Sequence, residues 1–251
     1  MKYLLIVAMT LASIGLKAEK TNENTRVYEL RVYHCNEGKR EALIARFQNH
    51  TTRIFENHGM ENVAYWLPTS PDMKNDLIYM LSYPSMEARD ASWKAFMADP
   101  EWQKVWAESK KDGDIVATVD SKFLKLEPEL TKKLKLTAKS PERIFELRSY
   151  YCLPGRYSNI VARFRDHTRE IFESHGMENI AYWGSIEKDD IQPHLVYIIA
   201  HKSEEGAKAS WASFRTDPKW KAAQTASELD GKIVEKVVSV MMKPLPFSKL
   251  R

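Results

Sequence analysis

The stretch Val27–Cys35, VYELRVYHC, alternates in a way that sorts its chemistry onto two faces. In an extended strand, successive side chains point to opposite sides. Glu29, Arg31, Tyr33 and Cys35 therefore share one face, and Tyr28, Leu30, Val32 and His34 the other. The same polar face recurs as Glu146, Arg148, Tyr150 and Cys152 in IFELRSYYC. A carboxylate, a guanidinium and a phenol in a row suit two uses. They can grip an anionic or phenolic ligand, with Arg as the anchor. They can also neutralise one another as a Glu–Arg ladder that holds two sheets in register. The apolar face suits covering helices, so the polar face is expected to look into an enclosed interior, with Glu29, Arg31, Tyr33, Glu146, Arg148 and Tyr150 lining a ligand site.

Other reactive types are fewer. FENHGMENVAYW (Phe55–Trp66) is repeated as FESHGMENIAYW (Phe172–Trp183). Tyr65 and Trp66 point to opposite faces of a strand, so one of them is expected in the interior; Trp66 and Trp183 join the ligand-binding set as stacking surfaces for a planar molecule. His50 and His167 fall between apolar positions of a helix and read as core histidines. His58 and His175 stand in the last turn before a Gly, where a cation complements the helix dipole. These four are secondary site candidates, with haem ligation as the alternative use. His50 and His58 lie about 12 Å apart along a helix, so they do not share a metal ion. Metal-binding and nucleophile-elbow motifs are absent from the sequence, as is a phosphate-binding Gly loop. Catalytic residues are left unassigned. Trp93, Trp102, Trp211 and Trp220 recur at helical positions and read as packing residues. Cys35 and Cys152 hold equivalent positions and are a candidate disulfide, provided the strands bring them within bonding reach.

The elements that position these residues come in two copies. Residues 26–66 align with residues 143–183 at 23 of 41 identical positions, and residues 77–126 with 195–244 at 19 of 50. A repeat of this length is a domain, not a solenoid unit. Each copy reads strand (Val27–Cys35), helix ending at Gly59, strand (NVAYWLP), strand (Asp76–Pro84), helix broken at Asp99-Pro100, and strand (DIVATVDSKFLKL). The order β-α-β-β-α-β is the ferredoxin-like unit. Its sheet has one face bare of helices, which must be buried. Two α+β units in tandem, 26–126 and 143–246 with a solvated linker 127–142, can bury those faces against each other as an intramolecular dimeric α/β barrel.

Composition frames the rest. A 251-residue chain with 43% hydrophobic and 29% charged residues is an ordinary globular protein. Residues 1–18 combine Lys2, an apolar run and a small residue at Ala18, which predicts a cleaved signal peptide and a secreted or periplasmic protein with no membrane span afterwards. Loss of Lys2 and Lys17 lowers the formal charge of +4 to +2, so nothing calls for a nucleic-acid partner. A monomer or a higher homo-oligomer is compatible with the pattern.

YELRVY and FELRSY opening the two units, the HGMENVAYW turn, and SWKAFMADPEW and SWASFRTDPKW resemble the NIPSNAP family, over nearly all of the chain after the leader. The resemblance implies the dimeric α/β-barrel fold and no settled catalytic mechanism. It also implies roles in vesicle traffic and autophagy at mitochondria, from which an export signal departs. Wider relatives include cofactor-independent monooxygenases and haem-handling enzymes. The expected function is small-ligand binding or protein interaction through the barrel, without a cofactor. The alternative is an oxygenase-like or haem-handling enzyme.

Overall fold

A computed structural model describes residues 25–186 and 192–251; the leader lies outside them. The first unit runs β1 (Val27–Cys35), α1 (Arg40–Arg46), a π turn (Phe47–Thr51), α2 (Thr52–Asn57), β2 (Glu61–Pro68), β3 (Asp76–Tyr83), α3 (Met86–Ala98), α4 (Pro100–Ser109) and β4 (Val116–Leu126). The second repeats it: β5 (Ile144–Cys152), α5 (Tyr157–Arg163), a π turn (Phe164–Thr168), α6 (Arg169–Ser174), β6 (Glu178–Ser185), β7 (Leu195–His201), α7 (Glu204–Thr216), α8 (Pro218–Ser227) and β8 (Val234–Pro244).

The local stops are where the residue types put them. Gly59 sits at φ +76° after α2, and the amides of Gly59 and Met60 close back onto Glu56 and Phe55. That left-handed position costs glycine little. Asp99 ends α3 and caps α4, its Oδ1 accepting from the amides of Glu101 (2.7 Å) and Trp102 (3.1 Å), with Pro100 in the first turn.

The strands close into one barrel in the order β1-β3-β2-β8-β5-β7-β6-β4. Each unit's sheet meets the other at both edges, through Trp66–Pro68 on β8 and Leu124–Leu126 on β6. Among the described residues, closure leaves no strand edge to pair with another chain. The bare faces of the two sheets become the barrel interior.

That interior is apolar. Tyr28, Leu30, Trp66, Ile78, Met80 and Leu124 meet Phe145, Leu147, Trp183, Val196, Ile198 and Met242 there. Two further apolar layers lie outside the barrel, one under the helices of each unit. The linker is not simply solvated, as expected from its lysines. Leu130 is buried under the second unit's helices and Leu134 in the barrel layer. Thr131 Oγ1 accepts from the Tyr182 amide at 2.9 Å. After β8 the chain does the same for the first unit, with Ser248 Oγ accepting from the Tyr65 amide at 3.0 Å. Each unit's outgoing segment is thus stitched along the other unit's second strand.

Candidate functional site

The polar face of β1 does not look into the barrel. Glu29, Arg31, Tyr33 and Cys35 point the opposite way, beneath α3 and α4, and Glu146, Arg148, Tyr150 and Cys152 do likewise in the second unit. The reason is the relative dryness of the two spaces. The middle of the barrel is enclosed by two sheets with large apolar side chains on both sides; the ionic pairs on that face, His34 with Asp76 and Asp120, lie towards the end of β1. The layer under the helices offers partners from α3 and its neighbours.

Glu29 is fully buried and saturated with donors. Its carboxylate accepts from Arg89 Nε (3.0 Å) and Nη2 (2.8 Å), Arg31 Nη1 (2.5 Å), Tyr83 OH (3.1 Å), Trp93 Nε1 (3.1 Å) and Ser121 Oγ (2.9 Å). Glu146 accepts from Arg148 Nη1 (2.6 Å), Trp211 Nε1 (2.6 Å) and Ser239 Oγ (2.6 Å), and pairs with His201 Nε2 (3.0 Å). Burial alone would raise both acids. The hydrogen bonds and charges of Arg89 and Arg31 in one case, and in the other the hydrogen bonds of His201, Ser239 and Trp211 with the charge of Arg148, outweigh it and hold each at about 2. A carboxylate so occupied is a poor general base and a strong positioning group. It fixes Arg31 and Arg148, whose own pKa values are raised: burial works against the charge, but Tyr79 and Tyr33, or Tyr197 and Tyr150, and then the paired Glu more than offset it.

Arg31 faces a cleft of about 390 Å³ between the first unit's sheet and its helices. Its guanidinium lies 4.7 Å from the Trp93 ring centroid and 5.5 Å from that of Tyr33. Phe47, Phe55, Phe96 and Trp102 supply further walls, and Met97, Trp106 and Val119 are exposed at it. Arg46, the last residue of α1, also lines the cleft; its Nη1 donates to Ser109 Oγ at 3.0 Å and its guanidinium lies 5.3 Å from the Trp102 ring. Thr51 lines it from the π turn, its hydroxyl donating to the Arg46 carbonyl at 3.2 Å.

The π turn corrects the reading of His50 and His167. One extra residue in the turn gives the buried place to Thr51 and Thr168. His50 is left half-buried and His167 exposed, so neither is a core histidine. His58 Nε2 lies 2.7 Å from Asp99 Oδ2 and His175 Nε2 2.7 Å from Asp217 Oδ2, each bolting the end of one helix to the N-cap of another. None of these four histidines lines the cleft, so none is placed to ligate a haem in it. Trp66 and Trp183 do face the barrel interior, but packed: Trp66 lies 6.0 Å from the Phe145 ring and Trp183 5.8 Å from that of Tyr28. Their indole N–H groups have no acceptor among the described residues. Cys35 and Cys152 are free thiols in separate helix-covered layers, so the disulfide does not form. Burial, with Asp76 nearby, pushes the Cys35 thiol up to about 11.

Sequence reasoning missed Arg89, Tyr83, Ser121, His201 and Ser239 as partners of the two acids, and Arg46 as a cleft residue. One signal was present. Arg89 and Trp93 stand four residues apart on α3, hence on one helix face.

Among solved structures, three resemble the chain over most of its length. A monooxygenase-like protein from Fusobacterium nucleatum superposes with a TM-score of 0.57 at 10% identity, over 88% of this chain and 93% of that one. Another from Lactobacillus acidophilus NCFM gives 0.54 at 13%, over 88% and 94%. An anthrone oxidase-like protein gives 0.55 at 12%, over 89% and 92%. At such identities the likeness is one of fold. No curated protein matches the chain. The NIPSNAP family model matches twice, over residues 28–129 and 145–249, covering both sheets and their helices. The chain therefore belongs to the NIPSNAP family, as a tandem pair of its units closed into a single barrel.

Proposed function

We propose that the protein binds a small planar ligand, and that the site is the first unit's helix–sheet cleft, not the barrel interior. The observation that carries this reading is the cleft itself: about 390 Å³, walled by aromatic rings and entered past exposed Met97, Trp106 and Val119. That volume is in the range that accommodates a small organic molecule. Apolar walls with a few fixed polar groups are how such sites combine affinity with orientation. Arg31, clamped by Glu29, supplies one such group at no further ordering cost. The leader-like pattern of residues 1–18 supports an exported location for this binding.

A second reading uses the same cleft for chemistry. Solved structures of the same fold include monooxygenase-like and anthrone oxidase-like proteins. Tyr33 and Trp93 beside Arg31 would then hold a phenolic substrate away from water.

Native mass spectrometry of the protein purified from its own host tests the binding reading. A retained small molecule is expected, lost or much reduced in Trp106→Ala, a residue 45% exposed whose truncation removes little core packing. A protein without adduct, whose tryptophan fluorescence is also indifferent to planar aromatic compounds, would contradict it. Consumption of oxygen with a phenolic compound bound would favour the second reading.

A further inference from the structure

The two copies treat one buried guanidinium in opposite ways. Arg46 and Arg163 occupy equivalent places at the ends of α1 and α5 and are 8% and 5% exposed. Each lies 5.3 Å from an equivalent indole, Trp102 or Trp220. Each donates to an equivalent serine, Ser109 at 3.0 Å or Ser227 at 3.2 Å. Arg163 has in addition a counterion, Glu228 Oε1 at 3.2 Å. At the place of Glu228 the first unit carries Lys110. Arg46 has no carboxylate partner among the described residues; the Nε of both arginines lacks an acceptor, so the counterion is what differs. Lys110 itself turns to Asp114 (2.7 Å) and to the Trp106 ring (4.2 Å).

A guanidinium this deeply buried is costly without an anion beside it. Burial also lowers its pKa. The deficit sits on the wall of a cavity. The surroundings differ in the same sense: Trp106 on that wall becomes Gln224 in the second unit, and exposed Met97 becomes Arg215. The first cleft therefore combines an unpaired buried cation with an extra aromatic wall, whereas the second unit supplies its own carboxylate at the matching point.

From this we infer that the ligand of the first-unit cleft is a small aromatic carboxylate, its carboxylate on Arg46 and its ring against Trp102 and Trp106, and that Glu228 holds the place of that carboxylate in the second unit. The inference rests on the binding reading above and narrows it to a ligand class. Arg–carboxylate pairs are short, planar and directional, and a bound anion would supply the missing acceptors. An aromatic ring on the acid fits the indoles that flank the guanidinium.

Isothermal titration of the full chain with 1-naphthoate and with its neutral analogue 1-naphthalenemethanol tests it. The carboxylate is expected to bind at least tenfold more tightly than the alcohol. Arg46→Gln should bring the two to the same level. Lys110→Glu, at a partly exposed position where folding is not at stake, should do the same by giving Arg46 the counterion that Arg163 already has. Equal binding of acid and alcohol to the wild-type chain overturns the inference and leaves the cleft intact as a site. A preference for the acid that survives both substitutions also overturns it, because the anchor would lie elsewhere. Binding of neither compound at millimolar concentration overturns the cleft reading together with it.

Discussion

The two units share a buried acid and disagree about who neutralises it. Glu29 is held by two arginines, a tyrosine, an indole and a serine, and Glu146 by one arginine, a histidine, an indole and a serine. Tyr83 and Arg89 of the first unit correspond to His201 and Ala207 of the second. The pair has changed together: the helix arginine gave way to a strand histidine, and the acid stayed a low-pKa carboxylate. The difference teaches that the first strand's Glu and Arg are a structural clamp common to both halves, whereas the residues above them are free to diverge. The cleft edges diverged further, to opposite charge at Lys110 and Glu228.

The comparison breaks most directly at the acids. Glu29→Gln leaves the part-buried Arg31 without a counterion and Arg89 with Asp90 alone, and is expected to cost about 3 kcal/mol in urea unfolding. Glu146→Gln should cost less. It takes the carboxylate from one guanidinium, Arg148, where Glu29→Gln takes it from two. Equal costs would show that the two clamps are energetically interchangeable despite their partners. The same acids set an acid limit. Each folded-state pKa is lowered from 4.5 to about 2, so the stabilisation is fully present above about pH 4.5 and is lost as pH falls towards 2. The loss is about 3 kcal/mol per acid, read as a fall in melting temperature that Glu29→Gln makes shallower.

A double-mutant cycle sharpens the comparison at intermediate size. Arg89→Ala alone removes a bidentate donor from Glu29 and is expected to cost about 2–3 kcal/mol. Adding Tyr83→His rebuilds the second unit's arrangement and should recover about 1 kcal/mol of it. Additive costs would mean that the strand histidine does not replace the helix arginine.

The smallest effect comes where the units agree. Asp99→Ala and Asp217→Ala each remove an N-cap and a histidine contact. Each should cost about 1–2 kcal/mol, and by nearly the same amount. Chemical denaturation of the two variants side by side checks it.

Much of the fold was legible because strand alternation, Gly59 and Asp99-Pro100 are local signals. The duplication then supplied the barrel, since two bare sheet faces need each other. What alternation cannot tell is which side of a strand is inside. Tyr28, Leu30 and Val32 look like a helix-covered face, yet they pack in the barrel, while the partners of Glu29 come from α3 and its neighbours on the other side. The π turn has no side-chain signature, so the shift that puts Thr51 inward and leaves His50 half-buried could not be foreseen. Arg46 reads as one more charged helical residue until its neighbours in space are known. Even then only the comparison with Arg163 exposes its missing counterion.

The central claim is that a ligand sits under the first unit's helices and not inside the barrel. A crystal structure of the full chain soaked with 1-naphthoate tests it most directly. The account predicts the naphthyl ring between Trp102 and Trp106 with its carboxylate on Arg46. Density for the compound between Trp66 and Trp183, inside the barrel, would contradict it.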